Sequence, residues 1–415
     1  MPKGEEAMSL EFHKLTQQVE QMSQALVLTE RELEDKAELA RQLLMQYGDA
    51  EALPHVDARV MDAVAKDAGY RGARPLYDPL DEPIAATYPL RPASEAATLV
   101  VTDGSQIFPD LHGPALYYLL NVGTIVWHRA GGGPPDVIGE PYLYYDPEYL
   151  MNPSQGVISN GAVSARRTVE EMKGLATHTW ANRGAARPLL ALLDGPLVFF
   201  MGIEVPEREF LLKTYLDAMK RAQKAQAALI GYLDRPRSSF IVSLLHLLDT
   251  PPEEVSRRAL ATDGSLEGLT DSWLFRTLLE PGSRTALFVQ MSPANKAFKD
   301  KGGKDLEICF FYMNVAAPGE RPLLARIEIP RWVADDRDLV AEVQALLYDQ
   351  CQQLINRYPY LLTRADEVAV VRHEEQRQLE MMIKVALTRC GVEAAESEKQ
   401  SGKGATRTDK TRHEI

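Results

Sequence analysis

Two stretches of this chain pair a carboxylate with a glycine at the close of an apolar run. The first is Leu99-Val-Val-Thr-Asp103-Gly-Ser105, and the second is Leu189-Leu-Ala-Leu-Leu-Asp194-Gly-Pro196. A glycine beside the acid lets the backbone turn sharply and leaves room for a ligand. Either stretch alone reads as an ordinary Asp-Gly turn. Together they predict two buried strands that each end in a carboxylate. If the strands are neighbours in one sheet, Asp103 and Asp194 converge. Converging carboxylates repel unless a cation lies between them. Hard oxygen donors select Mg²⁺ or Mn²⁺, and two such ions can hold the attacking water and the leaving oxygen in phosphodiester cleavage. A third Asp-Gly-Ser, at residues 263–265, follows no convincing buried strand and reads as a turn or helix cap.

A site of this kind needs a third acid. A predicted helix over 165–180 carries Glu170 and Glu171, with Val169, Met172, Ala176 and Trp180 marking its buried face. Glu171, one turn before Leu175, is the preferred member, against the alternative that both are solvent charges. Gly231-Tyr-Leu-Asp234-Arg-Pro-Arg-Ser238 brings Arg235 and Arg237 to a strand end, where arginine can clamp phosphate. A salt-bridged loop is the plainer alternative. Near the C-terminus, Tyr358-Pro-Tyr360-Leu-Leu-Thr-Arg-Ala-Asp366-Glu367 offers Tyr358 or Tyr360 to stack on a base or order a phosphate. Asp366 reads there as the N-cap of a helix. Arg326 and Glu328 share one face of a strand, as an ion pair or as part of the site wall.

Other chemistries lack their motifs. The eight histidines form no HxH, HxxxH or HExxH pair, and no GxSxG, GxxxxGK[ST] or GxGxxG occurs. Gly131–Gly133 runs into Pro134-Pro135 and opens no helix, so it is no phosphate loop. Cys309, Cys351 and Cys390 form no CxxC pair, which argues against a zinc ribbon and fits a reducing cytoplasm.

The elements that must position these residues follow from periodicity. Residues 8–47 contain no glycine or proline after Gly4 and space their apolar side chains for one long amphipathic helix. It is either a coiled-coil segment or a helix packed on its own domain. Residues 49–94 form a proline-rich connector with a short helix near 56–68. Strands are expected at 97–102, 115–121, 123–128, 188–193 continuing through 197–201, 228–233, 285–290, 308–314 and 324–328. Helices are expected at 165–180, 207–228, 238–248, 339–357 and 364–389, with a helical insertion at 250–282 and a loop over 131–160. Residues 391–415 are nearly free of large apolar side chains and are expected to be disordered. The fold class is α/β, a ribonuclease H-like mixed sheet flanked by helices. The expected divisions are a helix at 1–48, the connector at 49–94, the main domain at 95–390 and the tail.

The whole chain bounds this reading. Its 415 residues are 45% hydrophobic, enough for a real core, and its formal charge of −13 excludes a simple nucleic-acid coat. No apolar run approaches the roughly 18 residues of a membrane span, so a cytoplasmic location is expected.

The ordered series VVTDGS, YYLLNVG, a helix with arginine and glutamate, LLDGPL, GYLDRPRS, FFYMNV, ARIEIP and YPYLLTRADE resembles the NurA family of DNA repair nucleases, and most of all its bacterial branch. The resemblance spans residues 95–372. It implies a ribonuclease H-like core, a homodimer, and Mn²⁺-dependent 5′→3′ exonuclease and single-strand endonuclease action on DNA, with Mg²⁺ as an alternative metal. It also implies partnership with a HerA-type hexameric ATPase translocase in processing DNA ends for recombinational repair. The family's metal-binding aspartates fall on Asp103 and Asp194, its helix glutamate on Glu171 or Glu170, and its tyrosine on Tyr358 or Tyr360. The family commonly has Ala-His where this chain has Ala365-Asp366, so Asp366 either substitutes as a hard ligand or marks a weakened site. Arg235 and Arg237 would neutralise phosphate charge. The rival expectation is a catalytically weak dimeric adaptor that regulates the ATPase.

Overall fold

The structure is a computed structural model. It describes residues 12–76, 82–131, 133–152, 156–202, 205 and 207–392. The expected disordered tail therefore lies outside the described residues, apart from Gly391 and Val392.

Helix α1 (Thr16–Gln46) is unbroken, as its lack of glycine and proline demands. Its two halves behave differently. The second half buries Ala37, Ala40, Leu43 and Leu44 at helical spacing, beside α2 (Leu53–Ala65). The first half leaves Val19, Met22, Leu26 and Leu28 exposed. Both alternatives for this helix thus have a physical basis, each in a different half. The connector is not irregular throughout. Ala73–Pro75 and Thr87–Tyr88 are strands of the main sheet, and the Glu82 carboxylate, almost wholly buried, grips the Arg284 guanidinium and the Leu287 N–H.

The main sheet begins with β1 (Thr98–Ile107), β2 (Tyr118–His128) and β3 (Asp136–Tyr144), a consecutive antiparallel meander. Helix α3 (Asn160–Ala181) leads to β4 (Leu189–Asp194), which lies parallel to β1. Helix α4 (Arg208–Lys224) leads to β5 (Ala228–Asp234), parallel to β4. After α5 (Phe240–Asp249) come β6 (Phe288–Gln290), β7 (Ile308–Asn314) and β8 (Leu324–Pro330), and then α6 (Arg337–Gln352), α7 (Tyr360–Ala369) and α8 (His373–Arg389). Among the described residues the sheet has 11 strands, with the order β3-β2-β1-β4-β5-β8-β7-β6 followed by Ala73–Pro75. An antiparallel meander whose first strand is extended on its other side by two successive parallel strands is the ribonuclease H-like arrangement. Up to their terminal aspartates, β4 and β5 carry no charged side chain because both their faces are covered. Ala191, Leu193 and Leu229 face one core and Leu190, Leu192 and Ile230 the other.

Several local expectations are corrected. β2 is one strand, not two joined at Gly123. That glycine serves close packing: a Cβ there would lie 2.6 Å from the Ala365 carbonyl oxygen and 2.7 Å from the Ala369 nitrogen of α7. The segment 131–160 contains β3, an edge strand whose mostly exposed side chains leave no apolar alternation to read. β4 does not continue into 197–201, because Gly195 at φ +101° and Pro196 end it; Leu197, Val198 and Phe199 are still buried. The insertion 250–282 holds short 3₁₀ turns and one helix, Asp271–Phe275. Its organising residue is the buried Asp271, which accepts from the Ile241 and Val242 N–H groups at the start of α5. Finally, 364–389 is two helices. The end of α7 is capped from the sheet: Ser105 Oγ and Asn121 Nδ2 donate to the Ala369 carbonyl, and Ser105 Oγ accepts from the Val371 N–H.

Candidate active site

The parallel ladder of β1 and β4 pairs Thr102 with Leu193. One residue further on, Asp103 and Asp194 become neighbours, as the two Asp-Gly stretches require. Asp194 is level with Tyr232 of β5, so Asp234 stands just beyond it. The two glycines do different work. β1 does not stop at Asp103 but runs on to Ile107 against β2. Gly104 is therefore no turn residue. A Cβ on it would lie 2.4 Å from Glu171 Oε1, so its bareness seats the glutamate of α3. Gly195 does turn the chain, and its N–H donates to the Tyr232 carbonyl at 2.8 Å. Gly231 makes room for that turn, since a Cβ there would lie 2.6 Å from the Gly195 oxygen. Glu328, fully buried and 2.6 Å from Arg326, accepts the Leu197 N–H at 2.8 Å. The Arg326–Glu328 pair is thus an ion pair that braces the loop behind Asp194.

The structure separates the two helix glutamates. Glu171 is 7% exposed, and its carboxylate lies 3.0 Å from Arg167 Nε, one helical turn back. Glu170 pairs instead with Lys173 at 2.7 Å. Arg167 also donates to Gln106 at 2.8 Å, which ties it to β1. Arg167 was not foreseen, although its i,i+4 spacing from Glu171 is a readable signal.

The acids perturb one another. Loss of water pushes Asp103 up to about 6; Asp194 and Asp366 add to the rise, while the Gly104 N–H, at 2.7 Å, and Arg167 oppose it. Burial pushes Glu171 up to about 7, against the Arg167 charge and with help from Asp103 and Asp194. Asp194 is raised by loss of water and by Asp366 and Asp234, against a hydrogen bond donated by the Tyr358 hydroxyl. The Tyr358 phenol is itself held well above its ordinary range by burial and by Asp194. Asp103, Glu171, Asp194 and Tyr358 are therefore brought together, with Asp234 as a neighbour that the sequence reading left without a role.

Asp366 is exposed on α7 and its charge reaches Asp103 and Asp194. It is not an N-cap, because α7 starts at Tyr360 and the Asp366 carbonyl accepts the Val370 N–H at its far end. Tyr360, like Tyr358, packs half-buried on the core, and of the two it is Tyr358 that hydrogen-bonds Asp194. Arg235 is exposed, with φ +43° and its Nε 3.6 Å from Asp234. Arg237 lines a separate cavity of about 440 Å³ with Arg71, Ser239 and His246.

The donor set fits a hard divalent cation. Its members are all carboxylates, and burial together with their neighbours' charge raises Asp103 and Glu171 despite Arg167. As the side chains stand, no three His, Cys, Asp or Glu residues among the described residues close into a ligand group.

Residues 97–371 match the family model of the NurA domain. Among solved structures, the NurA nuclease from Sulfolobus solfataricus is 14% identical, with 70% of this chain and 84% of that chain covered and a TM-score of 0.44. A structure of NurA with manganese is 11% identical, with 89% and 97% covered and a TM-score of 0.40. The catalytic domain of human Endonuclease V is 14% identical, with 70% and 86% covered and a TM-score of 0.31. No curated protein matches the chain significantly. With the family model spanning well over half of its residues, the chain belongs to the NurA family.

Proposed function

We propose that this protein is a metal-dependent DNA nuclease, with 5′→3′ exonuclease and single-strand endonuclease action, that processes DNA ends for recombinational repair. The observation that carries the proposal is the meeting of Asp103, Asp194 and Glu171, three carboxylates whose proton affinity is raised first by burial and then by neighbouring acids. A family relative solved with manganese supports the choice of metal.

Asp103 and Asp194 would hold the cation from adjacent strands, Glu171 from α3 and Asp366 from α7. The bound cation, Mn²⁺ with Mg²⁺ as the alternative, would supply an acidified water and charge neutralisation at the phosphodiester. The chain's own groups set the stage. Arg167 keeps the Glu171 carboxylate turned toward Asp103. Tyr358 holds Asp194 by donating its hydroxyl proton. Arg235, exposed beside Asp234, would meet a substrate phosphate. Arg237 would contact DNA only beyond the cluster, from its own cavity, and Tyr360 would act only through packing. The protein would work as a homodimer with a HerA-type hexameric ATPase. The exposed half of α1, with Val19, Met22 and Leu26, is the candidate docking element.

The test is cleavage of end-labelled DNA with Mn²⁺, beside Asp103→Asn and Asp194→Asn. Each variant should lose at least about 10²-fold in rate and keep its fold. Absence of cleavage by the wild type, with or without the ATPase, would sink the proposal. A second reading, a dimeric adaptor that regulates the ATPase, is favoured by one observation, Asp366 in the place of the family's histidine. Metal binding without turnover, together with altered ATPase activity, would select it.

A further inference from the structure

Arg331 stands just past the end of β8 and is 6% exposed. Its Nε pairs with Asp335, and its Nη1 lies 3.6 Å from Glu307. Its Nη2 is buried without a hydrogen-bond partner. A charged donor left unsatisfied in the interior is unfavourable, so such an atom calls for an acceptor. The same side chain lines a cavity of about 140 Å³ with Arg74, Lys299 and Lys304, and the only carboxylate in that lining is Glu307. Glu307 is already engaged, 2.9 Å from Lys299, and Asp57 holds the Arg74 Nε at 2.6 Å. Lys304 is exposed and makes no ion pair among the described residues. Four cations thus face three carboxylates, Glu307, Asp57 and Asp335, in a chain whose formal charge is −13. The volume exceeds the roughly 30 Å³ of one water several-fold, which leaves room for a tetrahedral oxyanion.

We propose that this cavity binds a phosphate group. Guanidinium and ammonium donors on several sides suit a multiply charged tetrahedral anion better than a planar, singly charged carboxylate. The site is distinct from the acid cluster. Ala325 of β8 is level with Asp234, whereas Pro330 is level with Ile308 at the other end of the sheet. The six steps along the chain from Ala325 to Arg331 set the two sites about 20 Å apart. The proposal therefore does not rest on the nuclease reading. The phosphate has two sources, the backbone of a nucleic-acid strand or a free phosphate or mononucleotide.

The test is calorimetric titration of the full chain with inorganic phosphate at constant ionic strength, beside Lys304→Glu and Arg331→Gln. Lys304 is exposed, so Lys304→Glu keeps the fold even where Arg331→Gln does not. One saturable phosphate per chain is expected in the wild type, bound about ten-fold or more weakly by Lys304→Glu. Labelled single-stranded DNA, bound in the presence of a chelator, then separates the sources. Weaker DNA binding by Lys304→Glu, with phosphate competing in the wild type, assigns a backbone phosphate. Unchanged DNA binding beside weakened phosphate binding assigns a free phosphate or mononucleotide. No saturable phosphate binding, or equal affinity in Lys304→Glu, overturns the proposal.

Discussion

At Gly104 a single methyl group would collide with Glu171 Oε1 at 2.4 Å and with its Cγ at 2.8 Å. The side chain that must yield is the flexible glutamate, so the stability cost of Gly104→Ala should be small, about 1–2 kcal/mol. The cost to function should be larger, because Glu171 would swing away from Asp103. A displacement of about 1 Å at a catalytic group can cost roughly 10² in rate. Circular dichroism should therefore report a folded Gly104→Ala protein while Mn²⁺-dependent DNA cleavage drops by about that factor. Wild-type cleavage by this variant would show that Glu171 takes no part in the site. The sequence displayed Asp103-Gly104 plainly but assigned the glycine to a turn. Only the packing of α3 over β1 reveals its use, because the constraint comes from an atom far away in sequence.

At the scale of elements, α1 divides near its middle. Ala37, Ala40, Leu43 and Leu44 belong to a buried cluster, whereas Val19, Met22, Leu26 and Leu28 do not. Removing residues 1–47 would strip core side chains and confuse unfolding with loss of docking. Removing residues 1–30 spares the buried half. The shortened protein should keep its melting temperature within a few degrees and its DNA cleavage unchanged, yet lose co-purification with the ATPase. Retained ATPase binding would remove α1 as the docking element. Elements with strong periodicity were legible: β7 was expected at 308–314 and is found there, and α3, α4 and α5 match their expected spans within a turn or so. The break between α7 and α8 was not legible. No glycine or proline marks it, and the groups that end α7, Ser105 and Asn121, come from strands on the far side of the chain.

Across the whole molecule the acid cluster costs stability at neutral pH. Glu171 has its folded-state value raised from 4.5 to about 7. Between those values the folded chain binds more protons than the unfolded one, so this group's contribution to stability is greatest below about 4.5 and is lost as pH rises through about 7. A shift of this size corresponds to about 3–4 kcal/mol at most. Glu171→Gln should therefore melt higher than the wild type at pH 8, with the gap closing toward pH 5. Added Mn²⁺ should raise the wild type more than the variant. Thermal melts across this range, with and without the metal, measure it. A gap that is constant with pH would mean that Glu171 is not strained by its setting.

By itself the sequence determined the strands that carry Asp103 and Asp194, the ribonuclease H-like class, and the ordered motifs of the NurA family. Those features are local: apolar runs, an Asp-Gly pair, a fixed order of segments. Tertiary structure alone decided that Glu171 and not Glu170 meets Asp103, that Tyr358 and not Tyr360 hydrogen-bonds Asp194, and that Arg237 lines another cavity. It also decided that Asp366 reaches the acids from late in a helix and not from its first turn. Neighbouring residues on one helix differ by about 100° in direction, so one position of rotation separates a buried site residue from a solvent charge. Which of the two faces the sheet is settled by packing, not by local sequence.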